Sequence, residues 1–252
     1  MVFRGIKFLL ILTLMSTNLA QAKKAICPVK TNLECANYLR NYPLFDTEYK
    51  IAANYVPILP LRALANADVY KEKKSFHIER FYHVKNLSGE LGKPYQSIIL
   101  DGEIGGFGIF SRSIKAKGKL NEFDLEYENH MSFALPRTAH MKVTAKLDDI
   151  QFLNLKIRSD GNAMTNDVEG NFFAKEVKYH THWRDTYGIL AGINYKINAV
   201  GIVKEENDFQ VSLNGDVGTH KITGSGKLVS ENCYETIEDY GPITVKTIIT
   251  IK

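Results

Sequence analysis

The chain has 252 residues, of which 44% are hydrophobic and 24% charged, and a formal net charge of +4. That length and balance exclude a disordered chain and allow one large domain or two small ones. The charges are finely mixed and no basic block is interleaved with aromatics, so nucleic acid is not an expected partner.

The first residues are basic (Arg4, Lys7), Phe8 to Met15 is apolar but too short to span a bilayer as a helix, and Ala20-Gln21-Ala22 has the small-x-small pattern of a cleavage site. Residues 1–22 therefore read as a secretory signal peptide. The mature chain would be 252 − 22 = 230 residues with net charge +4 − 2 = +2, because Arg4 and Lys7 are the charged residues removed. The expected location is the periplasm or cell envelope. Cys27 does not directly follow the small-residue site, so no lipid anchor is expected. In an oxidising compartment the cysteines Cys27, Cys35 and Cys233 predict one disulfide and one thiol. Proximity favours Cys27–Cys35, with Cys233 as the alternative partner of either.

Residues 23–66 predict an N-terminal helix followed by an irregular segment. Thr31 to Tyr42 has a capping residue, Glu34 in the first turn, apolar residues at helical spacing and Pro43 just beyond. Tyr49–Val56 alternates weakly, as a strand would. Pro57-Ile58-Leu59-Pro60 breaks regular structure, and Leu61 to Ala67 reads as a core plug or a partner-facing turn.

Residues 67–252 predict an antiparallel β domain. Phe76–Leu87 alternates without a purely apolar face, which predicts an edge strand or a strongly twisted one. Lys115–Glu128 is the most informative stretch. A two-residue turn at Asn121-Glu122 places Lys119, Lys117 and Lys115 opposite Asp124, Glu126 and Glu128 on one face, and Leu120, Gly118 and Ala116 opposite Phe123, Leu125 and Tyr127 on the other. One register thus satisfies charge and burial together, and a slip of one residue ruins both. Further strands are expected over Tyr95–Ile104, Phe107–Leu120, Phe123–Phe133, Met141–Leu147, Leu153–Ile157, Val168–Trp183 (one strand, or two with a bulge), Ile189–Val203, Phe209–Val217, His220–Val229 and Ile243–Ile251. The predicted class is all-β: an antiparallel, meander-rich sheet, either a sandwich or a curved, partly closed barrel, with one short N-terminal helix.

Gly102–Gly108 is glycine-rich, but strand residues rather than a helix follow it, so it reads as a bend in the sheet and not as a phosphate loop. His180 and His182 point to one face of a strand and are the candidate metal ligands, with Asp185 or Glu176 as a carboxylate and His130, His140 or His220 as a neighbouring imidazole. Lys175, Lys178 and Arg184 flank the pair and oppose a divalent ion. Parity sets the histidines away from the apolar face. Trp183 to Tyr187 has the aromatic and polar mixture of a carbohydrate site, and equally that of a strand end. No nucleophile motif is present, and no cofactor or catalytic residue is assigned. The leading reading is an exported, envelope-associated binding or carrier module for a lipid or other amphiphile. The alternatives are an outer-membrane β-barrel and a metal-dependent enzyme centred on His180 and His182.

Overall fold

The computed structural model describes Lys50, Ala53 and residues 74–107, 111–134, 138–148, 150–160, 165–172, 175–182, 185–190, 193–203 and 209–252. These residues contain fourteen strands: β1 (Lys74–Lys85), β2 (Leu91–Phe107), β3 (Ser111–Leu120), β4 (Phe123–Ala134), β5 (Thr138–Leu147), β6 (Ile150–Asp160), β7 (Thr165–Phe172), β8 (Lys175–His182), β9 (Asp185–Leu190), β10 (Ile193–Val203), β11 (Phe209–Val217), β12 (His220–Ser230), β13 (Cys233–Asp239) and β14 (Ile243–Ile251). Each pairs antiparallel with its sequence neighbours, and β1 pairs with β14, from Phe76 opposite Ile251 to Val84 opposite Ile243. The meander is thus a closed barrel, not a sandwich and not partly open.

The Lys115–Glu128 hairpin takes the register that charge and burial require. Lys119 faces Asp124, Lys117 faces Glu126 and Lys115 faces Glu128, with ion-pair distances of 2.6, 2.7 and 4.0 Å. Asn121 takes a positive φ of 51° at the turn, a conformation asparagine tolerates well. Its side-chain oxygen accepts from the Ser97 amide at 2.8 Å, which ties the turn to β2.

Alternation puts apolar residues inside and charge outside. Val177, Ile197, Val245 and Ile249 are fully buried. A circular barrel of fourteen strands is wider than the eight-stranded size whose interior side chains just fill. Here part of the filling comes from the N-terminal segment, because Ala53 is fully buried within the same apolar cluster. Lys50 lies three residues before it, and its ammonium sits 5.8 Å from the centre of the Tyr95 ring. Both residues are helical, which corrects the strand expected over Tyr49–Val56. The period-two pattern there is weak, and a helix residue inside a barrel needs no polar face. The helix predicted at Thr31–Tyr42, the plug predicted at Leu61–Ala67, and Cys27 and Cys35 lie outside the described residues. Cys233 is a half-buried free thiol.

Three further expectations change. Phe76–Leu87 is no edge: β1 is paired on both sides. Its inward face looked mixed because Arg80 lies on it beside Phe76, Ile78 and Tyr82, and Arg80 is paired inside the barrel. Ile189–Val203, expected as one strand, is parts of β9 and β10, whereas Val168–Trp183 takes the two-strand alternative as parts of β7 and β8. Strand β13 is absent from the strands expected above because its inner face carries Thr236 and Glu238 while Ile237 points out. Gly102 to Phe107 of the glycine-rich stretch belong to β2. At Gly102 an added Cβ would lie 2.3 Å from the Phe76 ring, so the glycine there is a close packing position beneath an aromatic side chain.

Candidate functional site

Two places on the barrel gather polar chemistry. The first is internal. Arg80 donates from Nε to the Tyr82 hydroxyl at 2.9 Å, from Nη1 to Thr247 Oγ1 at 2.7 Å, and from Nη2 both to the Ala53 carbonyl at 2.7 Å and to Glu238 Oε2 at 2.6 Å. Arg80 and Glu238 are almost completely buried. Burial is the largest single effect on Arg80 and works to lower its pKa, but Glu238, Tyr82 and Tyr240 together outweigh it and hold the guanidinium above its ordinary value. Burial also pushes the Tyr82 and Tyr240 hydroxyls up, so both are neutral across the physiological range. The cluster joins β1, β13, β14 and Ala53.

The second place is external. The outward faces of β4 to β9 form an open groove of about 860 Å³. Cross-strand register arranges its lining in two rows. One runs Ser132, His140, Arg158, Asp167, His180 and Tyr187. The other runs His130, Lys142, Lys156, Glu169, Lys178 and Ile189. Tyr187 and Ile189 stand 48% and 38% exposed, two of the large apolar side chains that the barrel turns outward.

His180 lies here, facing outward as parity requires. Its Nδ1 donates to Asp167 Oδ1 at 2.6 Å, and its ring packs 5.5 Å from that of Tyr187. Hydrogen bonding at Nδ1 fixes the ring and presents Nε2 to the groove. His182 is opposite Asp185 in register, and Asp185 Oδ1 accepts from Asn198 Nδ2 at 2.9 Å. His130 and His140 line the same groove as His180. Among the described residues, no three His, Cys, Asp or Glu side chains converge as metal ligands. Trp183 and Arg184 lie outside the described residues.

No family model matches the chain. No curated protein matches it. Among solved structures, a beta-barrel-like protein of domain of unknown function DUF1849 from Brucella abortus is similar, at 8% identity over 73% of this chain and 98% of that one, with a TM-score of 0.38.

Asp167, Arg158 and Lys156 belong to the groove but were not among the candidate residues of the sequence. Reading Val168–Trp183 as two paired strands would set Asp167 opposite His180, the register that β7 and β8 take; reading it as one strand hides this.

Proposed function

We propose that the protein is an exported, non-catalytic β-barrel binding or carrier module for an amphiphile. The groove is the observation that carries this reading. It sets exposed apolar and aromatic groups, Tyr187 and Ile189, in the same concavity as lysines whose methylene stems add apolar wall beneath charged heads. An apolar surface that ends in charge suits a ligand built the same way. Export rests on the charge, apolar run and small-x-small site of residues 1–22.

The outer-membrane alternative requires an apolar band facing outward. This barrel presents Lys115, Lys117, Lys119 and Glu128 outward, all of them exposed, and turns its apolar residues in. The enzyme alternative would have to use the His180–Asp167 pair. On the same strand, the Thr181 hydroxyl faces the interior side and accepts from Asn166 Nδ2 at 2.7 Å, so it is not presented to His180 as a nucleophile.

Native mass spectrometry of the full chain purified from the cell envelope tests the proposal. A bound lipid-sized adduct that leaves when Tyr187 and Ile189 are both changed to Ser is the expected result. A stoichiometric metal adduct lost in His180→Ala would overturn it in favour of the enzyme.

A further inference from the structure

Charge is distributed unevenly along the groove. Elsewhere on the wall the register matches opposite signs, as in the β3–β4 hairpin, where each lysine has an acid directly across. Between β5 and β6 the register does the reverse. Lys142 lies directly opposite Lys156, and His140 directly opposite Arg158. On its other side Lys142 faces His130, and His140 faces Ser132. The groove therefore contains a block of five basic side chains on β4, β5 and β6, with no carboxylate among the lining residues of those three strands.

The acids that line the groove lie on β7, and neither forms an ion pair with this block. Asp167 is opposite Arg158, but its carboxylate is engaged by His180. Glu169 is opposite Lys156 and Lys178, yet forms an ion pair with neither. Among the described residues, Lys142, Lys156 and Arg158 have no ion-pair partner at all. Like charges directly opposite on a sheet are destabilising, and a concave surface concentrates their potential. A barrel that aligns its charges so carefully two strands away retains a cost here. Arg158 adds planar, bidentate donors suited to an oxyanion. The apolar pair Tyr187 and Ile189 is on β9, at the far end of the same two rows.

We propose that the groove binds its amphiphile in one orientation, with an anionic, phosphate-type head seated between Lys142, Lys156, Arg158 and His140 and the apolar portion running toward Tyr187 and Ile189. This rests on the amphiphile reading above and assigns that ligand its charge and its direction.

Calorimetric titration of the full chain tests it with three probes: lysophosphatidylglycerol, lysophosphatidylcholine and inorganic phosphate, each lipid kept monomeric. The anionic lipid should bind about tenfold tighter than the zwitterionic one, the scale of a charge-assisted contact. The doubly substituted Lys142→Gln, Arg158→Gln chain should lose that preference, and higher salt should erode it. Changing Tyr187 and Ile189 to Ser should weaken both lipids alike. Equal binding of the two lipids, unmoved by the double substitution, would overturn the anionic seat and leave the amphiphile reading intact. Phosphate binding that the double substitution abolishes, with neither lipid bound, would uphold the seat and overturn the amphiphile. Binding of none of the three would overturn both. Thermal melting of each variant confirms the fold; all four substituted side chains lie on the outer face, away from the core.

Discussion

Arg80 and Glu238 show how an apolar barrel tolerates charge. Each is removed from water, and the cost is offset only while the other is present with the hydroxyls of Tyr82 and Thr247 and the Ala53 carbonyl. Glu238→Gln or Arg80→Leu alone leaves a buried group unmatched and should lower stability by about 3–5 kcal/mol in chemical denaturation. Arg80→Leu combined with Glu238→Gln should cost clearly less than the sum of the two single changes, since no buried charge then remains. A strictly additive pair would contradict the coupling. A second residue-scale expectation concerns pH. His77 Nδ1 donates to Asp101 Oδ1 at 2.8 Å, and this hydrogen bond, with that to Glu79, raises the imidazole above its ordinary 6.5 against a smaller effect of burial. A raised folded-state pKa means that its contribution to stability is fully present below 6.5 and is lost as pH rises through the folded value. Ring resonances of His77 should titrate above 6.5, and in Asp101→Asn they should move back down; an unchanged midpoint would remove Asp101 as the cause.

At the scale of strands, what could be read from the residues was parity. The β3–β4 hairpin was legible to the residue because each face made its own demand and both demands chose one register. The bounds of Phe209–Val217 and Ile243–Ile251 were legible for the same reason. Parity failed where a strand's inner face is not apolar: on β1 through Arg80, and on β13 through Thr236 and Glu238. The partners that make Arg80 and Glu238 tolerable inside come from strands more than 150 positions apart, beyond any local pattern. The groove was half legible. That His180 faces outward follows from alternation, but the block of Lys142, Lys156 and Arg158 exists only once β5 and β6 are paired. The pairing of strands also depends on close backbone approach. At Gly118 an added Cβ would lie 1.8 Å from the Ile99 carbonyl oxygen of the neighbouring strand. Gly118→Ala should therefore destabilise the barrel by about 1–3 kcal/mol, although alanine is small and the site faces the apolar side. A neutral melting curve would show that β2 and β3 can separate without loss.

On the scale of the whole molecule, closure depends on one pairing. The seam joins β1 to β14 along nine facing residues, and the backbone of Lys252 exchanges hydrogen bonds with Ser75 at 2.8 and 3.2 Å. Ending the chain at Pro242 removes β14 and leaves β1 and β13 each with an unpaired edge, a template for association between copies. Such a chain should scatter light and elute as large species in gel filtration; a folded monomer would show that the seam is dispensable. The same seam imposes an order in time. Every other strand can pair with a sequence neighbour as soon as both have been made, but the first waits for the last, and loop closure over that distance is among the slowest events in folding. A ribosome or a translocation channel delivers the chain from its N-terminus, so β1 remains half-paired until β14 has emerged. The arrival and docking of β14, rather than the rate of any hairpin, then set when the barrel can close.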